Sequence, residues 1–460
     1  MGGGDNRGAA TAGGGDITFR GAELVLPDGV VVGDLSIRGG RIAEVGVVRH
    51  PVGEEVDARG LTLLPGVIDP QVHFREPGRT HKEDLGSGSR AAAAGGVTAF
   101  LEMPNTDPPT TTPALLAEKW ALGAAKCASH FGFFFGATPD NAATVAQLDP
   151  HSVPGLKIFM GSSTGSLLVN EQSALEAHFT AARVPIAVHA EDEDRLRARM
   201  AMYAGQRDVA LHPIIRDEQA AVLASRRAVD LAQRHQKRLH ILHLSTAEEV
   251  ELLRSLPDDG LVTTETLPQY LWLDATAYGT LGTRLQMNPP VRDVRHQAAL
   301  WAGLLDGTIA CIATDHAPHT LAEKALPFGE APSGMPGVEQ SLPLMLHGVH
   351  TGRCSLRHVV QWMCAGPADC YGLTTKGRLQ VGLDGDLVLV DRRQSRVVRD
   401  DEQFTRVGWS PFEGWRLFGV PVMTVLMGQP VFREGVIVEG VRGQQLTFNH
   451  APRVHRRVPL

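Results

Sequence analysis

The stretch GVIDPQVHFREPGR, residues 66–79, decides the fold of this chain. Its apolar start, residues 66–68, predicts a strand that enters a hydrophobic core, and polar side chains follow at once. Because the side chains of a strand alternate between its two faces, Gln71, His73 and Arg75 share one face. An amide, an imidazole and a guanidinium on one face serve no packing purpose. They indicate one wall of a site for a metal ion and an anion.

The composition limits the class of protein. With 460 residues, 43% of them hydrophobic, the chain can bury a large core and predicts one large domain with a smaller one. The net charge of −7 excludes a general affinity for nucleic acid or anionic membranes, and no apolar stretch is long enough to span a bilayer. The five cysteines form no C-x-x-C pair, which indicates thiols in a reducing cytoplasm, with Cys311 in the apolar core.

The two ends of the chain are rich in predicted strands. Residues 1–15 are glycine-rich and lack the apolar segment of a secretory signal, so a flexible tail is predicted. Short strands follow in residues 16–65, separated by turn signals such as Gly33-Asp34, and similar strands recur in residues 376–445. The two segments predict one small β-sandwich domain, provided that the ends of the chain meet in space.

The centre of the chain, residues 66–375, alternates apolar runs with helical patterns. Eight strands are predicted, at residues 66–74, 96–104, 129–137, 155–160, 185–190, 239–245, 261–267 and 309–315. Helical patterns lie between them, at residues 89–94, 112–126, 218–234 and 247–256. Eight such alternations predict an α/β fold with a (β/α)8 TIM-like barrel.

Polar side chains recur where the predicted strands end. Beyond the first strand they are His189, His243, Asp315 and His319, and Lys157 lies inside the apolar run of the fourth strand. In a barrel of this kind, the carboxyl ends of the strands meet at one face, and that face carries the chemistry. We therefore expect these side chains to lie close to the polar wall of the first strand.

Each of these residues also has an ordinary interpretation. A lone histidine after a strand is more often a hydrogen-bonded core residue, Lys157 alone would extend to the surface, and Asp315 alone would cap a helix. Arg75 alone would form an ion pair with Glu76 or Asp69. The glycines of residues 332–337 either let the backbone approach a ligand or form an ordinary loop. Taken together, however, the polar strand ends predict a metal site.

The donor set predicts the metal and the reaction. Imidazole nitrogen and carboxylate oxygen without a thiolate suit one or two zinc ions. A buried lysine loses its charge readily, and a neutral amine reacts with CO2 to form a carbamate, so Lys157 is a candidate bridging ligand. Asp315 is the candidate catalytic residue, because a carboxylate beside metal and water can accept the proton of the nucleophile and pass it to a leaving nitrogen. This chemistry is the hydrolysis of an amide or its reversal.

Seven motifs resemble the amidohydrolase superfamily and, within it, the dihydroorotases that combine a barrel with a sandwich. They are VHFREPG (72–78), GGVTAFLEMPNT (95–106), LKIFMG (156–161), VHAED (188–192), HLS (243–245), NPPVR (288–292) and ATDHAPH (313–319). The resemblance covers nearly the whole chain from about residue 16.

The resemblance implies a role for each site residue. One metal ion would be bound by His73 and Asp315 and the second by His189 and His243, with carbamylated Lys157 between them. The substrate-binding residues would be Arg75, Asn105, Asn288 and His319. Of these, Asn288 would contact the ring of the substrate, and the others would bind its carboxylate.

Arg75 and Asn105 bear on the choice of substrate. Similar allantoinases usually carry Asn where Arg75 stands, and hydantoinases lack the M-P-N-T motif. The planar fork of an arginine binds both oxygens of a carboxylate, and dihydroorotate has this carboxylate, whereas hydantoin and allantoin do not. The resemblance therefore implies interconversion of dihydroorotate and N-carbamoyl-aspartate in pyrimidine biosynthesis, by a homo-oligomer.

Gln71 departs from the family pattern, which has a histidine at this position. An amide oxygen is a poorer zinc ligand than imidazole, so three outcomes are open: two metal ions with one bound loosely, a single metal ion, or loss of activity. The last outcome would make the chain an inactive partner of aspartate transcarbamoylase. A hydrolase of another cyclic amide, of the hydantoinase or allantoinase type, is the remaining alternative.

Overall fold

The structure is a computed structural model that describes residues 14–162 and 167–451. Most of the predicted tail, residues 1–13, lies outside the described residues. At its end, the Gly15 N–H donates to the Met427 carbonyl across 2.8 Å. Within the described residues, no helix combines the length and the apolar character needed to cross a membrane.

The described residues form strands along the whole chain. The strands of the two ends are β1 (Ile17–Leu26), β2 (Gly29–Arg38), β3 (Arg41–Gly46), β4 (Glu54–Asp57), β5 (Thr62–Pro65), β15 (Leu387–Val397), β16 (Arg416–Leu426), β17 (Gln429–Arg433) and β18 (Val436–Ile437). The strands of the centre are β6 (Val67–Val72), β7 (Val97–Glu102), β8 (His130–Phe133), β9 (Phe135–Gly136), β10 (Leu156–Phe159), β11 (Ile186–His189), β12 (Leu239–Ile241), β13 (Val262–Thr266) and β14 (Cys311–Ile312).

The two ends of the chain meet in one nine-stranded sheet. Its order is β18-β17-β16-β15-β5-β1-β2-β3, and β4 pairs with β1 beside that path. The ends join where β5 pairs antiparallel with β15, with Leu63 opposite Leu389. Side chains from both ends share a hydrophobic cluster that includes Phe19, Leu387 and Val425. The predicted meeting of the chain ends is therefore confirmed.

The predicted break at Gly33-Asp34 is wrong. Gly33 pairs with Ala22 inside the β1–β2 hairpin, and the strand continues through it. The pairing register shifts between Phe19 and Ala22, and Gly21 has a φ of +67° in this bulge. The bulge accommodates one extra residue of β1 without ending the strand, so β2 continues through Gly33-Asp34 as one long strand.

The central strands run parallel in two sheets. One contains β9 to β14 in chain order and the other contains β6, β7 and β8. All eight predicted strands have a counterpart, and the third is interrupted at Phe134, whose N–H donates to the Glu102 carbonyl. Beyond the end of β14, His316 bridges in parallel to Val72 of β6. The centre is thus α/β with parallel sheets.

The helices lie between these strands. They are α1 (Leu85–Ala94), α2 (Pro113–Lys126), α3 (Ala142–Val145), α4 (Gln172–Ala181), α5 (Glu193–Met202), α6 (His212–Ile215), α7 (Glu218–His235), α8 (Ala247–Arg254), α9 (Pro268–Trp272), α10 (Tyr278–Leu281), α11 (Val294–Leu305), α12 (Leu321–Lys324), α13 (Ser341–His350), α14 (Leu356–Val360) and α15 (Gly366–Tyr371). The four predicted helical patterns correspond to α1, α2, α7 and α8. Helix α2, for example, begins where Thr112 accepts a hydrogen bond from the Leu115 N–H and Pro113 occupies the first turn.

A buried charge network connects the terminal sheet to the central strands. Lys376 Nζ lies 3.0 Å from Asp384 and also contacts Asp386. His130 of β8 lies 3.2 Å from the same Asp386 carboxylate. All four side chains are less than 10% exposed, so the network is part of the interior rather than of the surface.

Candidate active site

The carboxyl ends of the central strands surround one cavity of about 350 Å³, which includes space open to solvent. Nine of the ten predicted site residues line it: Gln71, His73, Arg75, Asn105, Lys157, His189, His243, Asn288 and Asp315. The tenth, His319, lies behind Arg75 and is buried. Segments more than 200 residues apart in the chain therefore converge as expected.

Asp315 and His73 face each other across the junction of β6 and β14. Nε2 of His73 lies 2.9 Å from Oδ1 of Asp315, and Nδ1 lies 2.7 Å from the amide oxygen of Asn105. Each ring nitrogen of His73 therefore faces an oxygen that can accept a hydrogen bond, Asn105 at Nδ1 and Asp315 at Nε2. Burial lowers the pKa of His73 below its ordinary value, which favours the neutral ring that binds metal.

A residue of β6, Asp69, fixes the backbone next to Asp315. The φ of Asp315, +46°, lies in the left-handed region, where side chains rarely occur. The preceding residue, Thr314, donates to Asp69 from both its N–H (3.1 Å) and its hydroxyl (2.6 Å). Asp69 also accepts from the Gln71 N–H across 3.2 Å. Asp69 therefore positions Asp315 and Gln71 together, and Asp315 is not a helix cap, because the cap of α12 is Thr320.

His189 and His243 form a second pair of donors. Nδ1 of His189 lies 3.0 Å from Nε2 of His243. The other nitrogen of His189 donates to Glu191 across 2.9 Å, and Glu191 is in turn paired with Arg216. Burial lowers the pKa of His189 and of His243, so both rings are neutral donors at neutral pH.

Lys157 is buried in the cavity wall and does not reach the surface. It is 1% exposed, and its Nζ lies 4.5 Å from the centre of the Phe159 ring. Burial lowers the pKa of its amine to about 7, against the attraction of Asp315 and Glu265. At neutral pH a large share of the amine is therefore uncharged, which is the form that reacts with CO2.

Arg75 forms the cationic end of the cavity. Its Nε donates to the Pro318 carbonyl across 3.2 Å, and Nη2 lies 3.1 Å from His319 Nε2. Burial lowers its pKa to about 10, so the guanidinium stays charged at neutral pH. The predicted alternative, an ion pair with Glu76 or Asp69, is wrong, since Glu76 pairs with Lys126 and Asp69 is bonded as described above.

Comparison with known proteins identifies the family. Residues 62–431 match the model of the amidohydrolase family. The chain belongs to the amidohydrolase family. It is 40% identical over 430 residues to a dihydroorotase of Halobacterium salinarum, covering 92% of this chain and 98% of that protein.

Two further relatives have other names. An allantoinase of Deinococcus radiodurans is 34% identical over 446 residues, covering 94% of this chain and 98% of that protein. The solved structure of L-hydantoinase (dihydropyrimidinase) from Arthrobacter aurescens matches with a TM-score of 0.90 at 31% identity, covering 94% of this chain and 99% of that one. All three relatives therefore match this amidohydrolase over nearly its whole length.

The loop of residues 332–337 forms part of the cavity of this amidohydrolase, as one of the two sequence interpretations proposed. Ser333 and Gly334 line the cavity. Gly334 has a φ of +134°, and a Cβ at this position would lie 2.4 Å from the Ala317 carbonyl oxygen. A side chain would thus displace the backbone that shapes the wall.

Sequence reasoning missed the residue that holds this loop. Lys324, the last residue of α12, is 1% exposed and donates to three backbone carbonyls, those of Gln286 (3.0 Å), Pro332 (2.9 Å) and Gly334 (2.9 Å). Lys82 was missed as well, and its Nζ donates to His319 Nδ1 across 2.9 Å. Neither lysine belongs to a recognisable motif, because each acts through loop carbonyls or through another side chain.

The cavity of this amidohydrolase contains buried polar atoms that have no hydrogen-bond partner among the described residues. Among the described residues, Oε1 of Gln71, Nδ1 of His243 and Oδ1 of Asn288 are buried without a hydrogen bond. A buried polar atom without a partner costs free energy of about 1–3 kcal/mol. An oxygen and an imidazole nitrogen of this kind, beside the neutral His73 and His189, fit a metal ion such as zinc.

Proposed function

We propose that this chain is a dihydroorotase, which reversibly hydrolyses the cyclic amide of (S)-dihydroorotate to N-carbamoyl-L-aspartate. The observation that carries the proposal is the Arg75 guanidinium, buried and charged on the wall that also contains the metal-binding donors. A charged group of this kind is stabilised by an anionic substrate, and a carboxylate matches its planar fork. The similarity to the Halobacterium dihydroorotase supports the same substrate.

The proposed metal site has two halves. His73 and Asp315 would bind one ion, and His189 and His243 the other, with Gln71 as a weak additional ligand through its amide oxygen. When bound, zinc supplies a Lewis acid for the amide carbonyl and lowers the pKa of water. Lys157, carbamylated on its neutral amine, would bridge the halves, and its electrostatic coupling to the histidines of both halves supports this role.

The remaining residues bind substrate and move protons. Arg75 and Asn105 would bind the substrate carboxylate, with His319 behind Arg75, and Asn288 would contact the ring through its amide. Asp315 accepts the proton of the attacking water and returns it to the ring nitrogen as the C–N bond breaks. In the reverse direction, the same carboxylate removes the proton from the carbamoyl nitrogen.

The architecture that supports this function is a (β/α)8 barrel over residues 66–375. The two parallel sheets and the bridge from His316 to Val72 support closure of the strands into a barrel. Residues 16–65 and 376–445 would form the β-sandwich domain, for which the shared cluster of the terminal sheet argues. We further propose a cytoplasmic homo-oligomer that acts in pyrimidine biosynthesis and, in one arrangement, associates with aspartate transcarbamoylase.

Two other functions remain as alternatives. The allantoinase and hydantoinase similarities favour a hydrolase of an uncharged cyclic amide. An inactive partner of aspartate transcarbamoylase would explain Gln71, but it gives no reason for Lys157, His189, His243 and Asp315 to surround one cavity.

The deciding experiment compares three substrates. The purified protein, supplied with zinc, manganese or cobalt, is assayed with dihydroorotate, hydantoin and allantoin in parallel. We expect metal-dependent turnover of dihydroorotate that exceeds turnover of the uncharged rings. Turnover of hydantoin or allantoin alone would show that the chain is a hydrolase of uncharged cyclic amides. Absence of all turnover, together with tight binding to a transcarbamoylase chain, would show that the chain is an inactive partner of aspartate transcarbamoylase.

A further inference from the structure

A second group of donor side chains occupies three neighbouring central strands. His240 lies on β12, Glu265 on β13 and Cys311 on β14. One imidazole nitrogen, one carboxylate oxygen and the Sγ atom all lie within 4.8 Å of one another, and all three residues are buried. None of them lines the candidate active site. The group thus lies outside the cavity lining, although Glu265 still attracts Lys157 electrostatically.

One distance in this group is close to that between two ligands of a tetrahedral zinc ion. Nε2 of His240 lies 3.1 Å from Oε2 of Glu265. Zn–N and Zn–O bonds of about 2.0–2.2 Å place two tetrahedral ligands about 3.4 Å apart. The pair thus needs to separate by only a few tenths of an ångström to admit an ion.

The orientation of His240 is fixed from outside the group. Its Nδ1 lies 2.8 Å from the Thr263 hydroxyl. A metal-binding histidine almost always has such a hydrogen bond on its other nitrogen, because this bond fixes the ring and its tautomer. Thr263 therefore leaves Nε2 as the atom that faces Glu265.

A fourth donor comes from helix α15. The thiol of Cys370 lies close enough to the side chains of both His240 and Cys311 to interact with them, whereas the tight group within 4.8 Å consists of the other three residues. One nitrogen, one oxygen and two sulfurs form a set that zinc binds as a closed, four-coordinate structural site. The proposed catalytic donors include no sulfur, so a thiolate ligand distinguishes the two sites.

An ordinary interpretation of the group leaves one atom unexplained. A His240–Glu265 ion pair with two protonated thiols accounts for Oε2 of Glu265. Oε1 of the same carboxylate, however, is buried without a hydrogen bond among the described residues. A fully buried carboxylate with one free oxygen is costly, and a divalent cation between the four donors would satisfy that oxygen.

We propose that His240, Glu265, Cys311 and Cys370 bind a structural zinc-type cation, separate from the catalytic centre. Binding would convert the two thiols to thiolates and release their protons to solvent. The ion would join β12, β13 and β14 to α15. His243 follows His240 by three residues and Asp315 follows Cys311 by four, so the ion would also hold the strands that carry these catalytic donors.

The test uses cobalt as the probe and does not depend on the proposed function. The full chain is produced in zinc-depleted medium with cobalt, because a buried site must be filled during folding. Cobalt bound to thiolate gives an intense charge-transfer absorption in the near ultraviolet, which imidazole and carboxylate ligands do not give. We expect this band in the wild-type protein. We also expect it in Lys157→Ala, which removes only the proposed catalytic bridge.

Cysteine variants show which thiols give rise to the charge-transfer band. Cys311→Ser should abolish or strongly weaken it and lower the metal content by one equivalent per chain. Cys354→Ser is the matched control, since Cys354 is a half-buried thiol outside the group, and it should leave both readouts unchanged. A folded, cobalt-containing wild-type protein without the band overturns the proposal, whatever its activity. So does a Cys311→Ser variant that keeps the full band; if this variant does not fold, Cys370→Ser replaces it.

Discussion

The side-chain amide of Gln71 donates a hydrogen bond to Asp315, with 3.1 Å between Nε2 and Oδ1. The same Oδ1 lies 2.9 Å from His73 Nε2. Position 71 thus holds the candidate proton acceptor through its nitrogen, while its oxygen, Oε1, has no hydrogen bond among the described residues. A glutamine here is a hydrogen-bond donor to Asp315 and, in the proposed function, also a weak metal ligand.

Replacement of Gln71 by histidine should remove the amide hydrogen bond to Asp315 and provide a stronger metal ligand. Because imidazole binds zinc better than an amide oxygen, we expect Gln71→His to raise the metal content per chain, measured by elemental analysis after dialysis. Gln233→His, which adds an imidazole on the exposed face of α7, is the control. Equal metal content in the wild type and Gln71→His would show that Gln71 already binds fully or lies outside the metal site.

Lys157→Ala should remove the metal of the candidate active site and the activity together, since the bridge between the two halves is lost. Acetate offers two oxygens in place of the carbamate, and we expect it to restore part of both. In the wild type, metal reconstitution should require CO2 and become faster as the pH rises through about 7, because the amine that reacts must be deprotonated. Normal metal content in Lys157→Ala would disprove the carbamate bridge.

Arg75→Lys should show how much the charge and how much the geometry of Arg75 contribute at the cationic end of the cavity. The variant keeps a positive charge but loses the bidentate fork. Loss of a charge-assisted hydrogen bond costs about 1.5–3 kcal/mol, so we expect KM for dihydroorotate to rise roughly tenfold to a hundredfold. Arg378→Lys, in an ion pair with Asp369 outside the cavity, should leave KM unchanged. An unchanged KM in Arg75→Lys would remove the carboxylate assignment.

Lys324→Met should release the loop that carries Ser333 and Gly334. The Nζ atom of Lys324 donates to three carbonyls, and loss of the amine leaves these oxygens without their hydrogen-bond donor. We expect KM to rise several-fold with a smaller change in kcat, because Lys324 positions the wall and does not contact the reacting atoms. Lys237→Met is the control, since Lys237 also donates to a backbone carbonyl, that of Ala182. Identical kinetics of the two variants would argue against the positioning role.

The ionisation of Asp386 should make the free energy of unfolding depend on pH in the acid range. Burial opposes its ionisation, but the charges of Lys376 and His130 outweigh burial and lower its pKa below the ordinary value. A carboxyl with a lowered pKa stabilises the fold above its unfolded pKa, near 4, and this contribution is lost as the pH falls below that value. Asp386→Asn should reduce the free energy of unfolding by about 3–5 kcal/mol near neutral pH.

The control for Asp386 is an exposed ion pair. Asp57 and Arg59 are both more than half exposed, and Asp57→Asn should leave the free energy of unfolding nearly unchanged, because water screens exposed ion pairs. Thermal melts at pH 7 and pH 3 compare the two variants with the wild type. If Asp386→Asn has the same melting temperature as the wild type at pH 7, the buried network contributes no net stability.

The sequence was most informative where an apolar run ends in a polar residue. His189 and Asp315 end short buried runs, and parallel strands bring such ends to one face. Lys157 lies within the run of β10 and lines the same cavity. Lys324 and Asp69 gave no comparable signal. Lys324 acts on carbonyls of a distant loop, and Asp69 acts across a junction of strands that are 245 residues apart. Contacts of this kind depend on tertiary packing, which no local pattern encodes.

The lengths of the terminal strands were also beyond local reasoning. Glycine and aspartate at Gly33-Asp34 are turn formers, but pairing with β1 overrides that preference. Gly21, which carries the bulge, has no neighbour in the sequence that marks it as different from an ordinary turn glycine. Propensity therefore located the strands and misplaced one break.

The pairing of β5 with β15 has a consequence for synthesis of the chain. Leu63 meets its partner only after Leu389 has been made, long after all the proposed catalytic residues have left the ribosome. Until then one edge of β5 has unsatisfied N–H and C=O groups, and such an edge is prone to pair with other chains. Translation that stops short of β15 would therefore release a protein that carries every proposed catalytic side chain and is still vulnerable to aggregation.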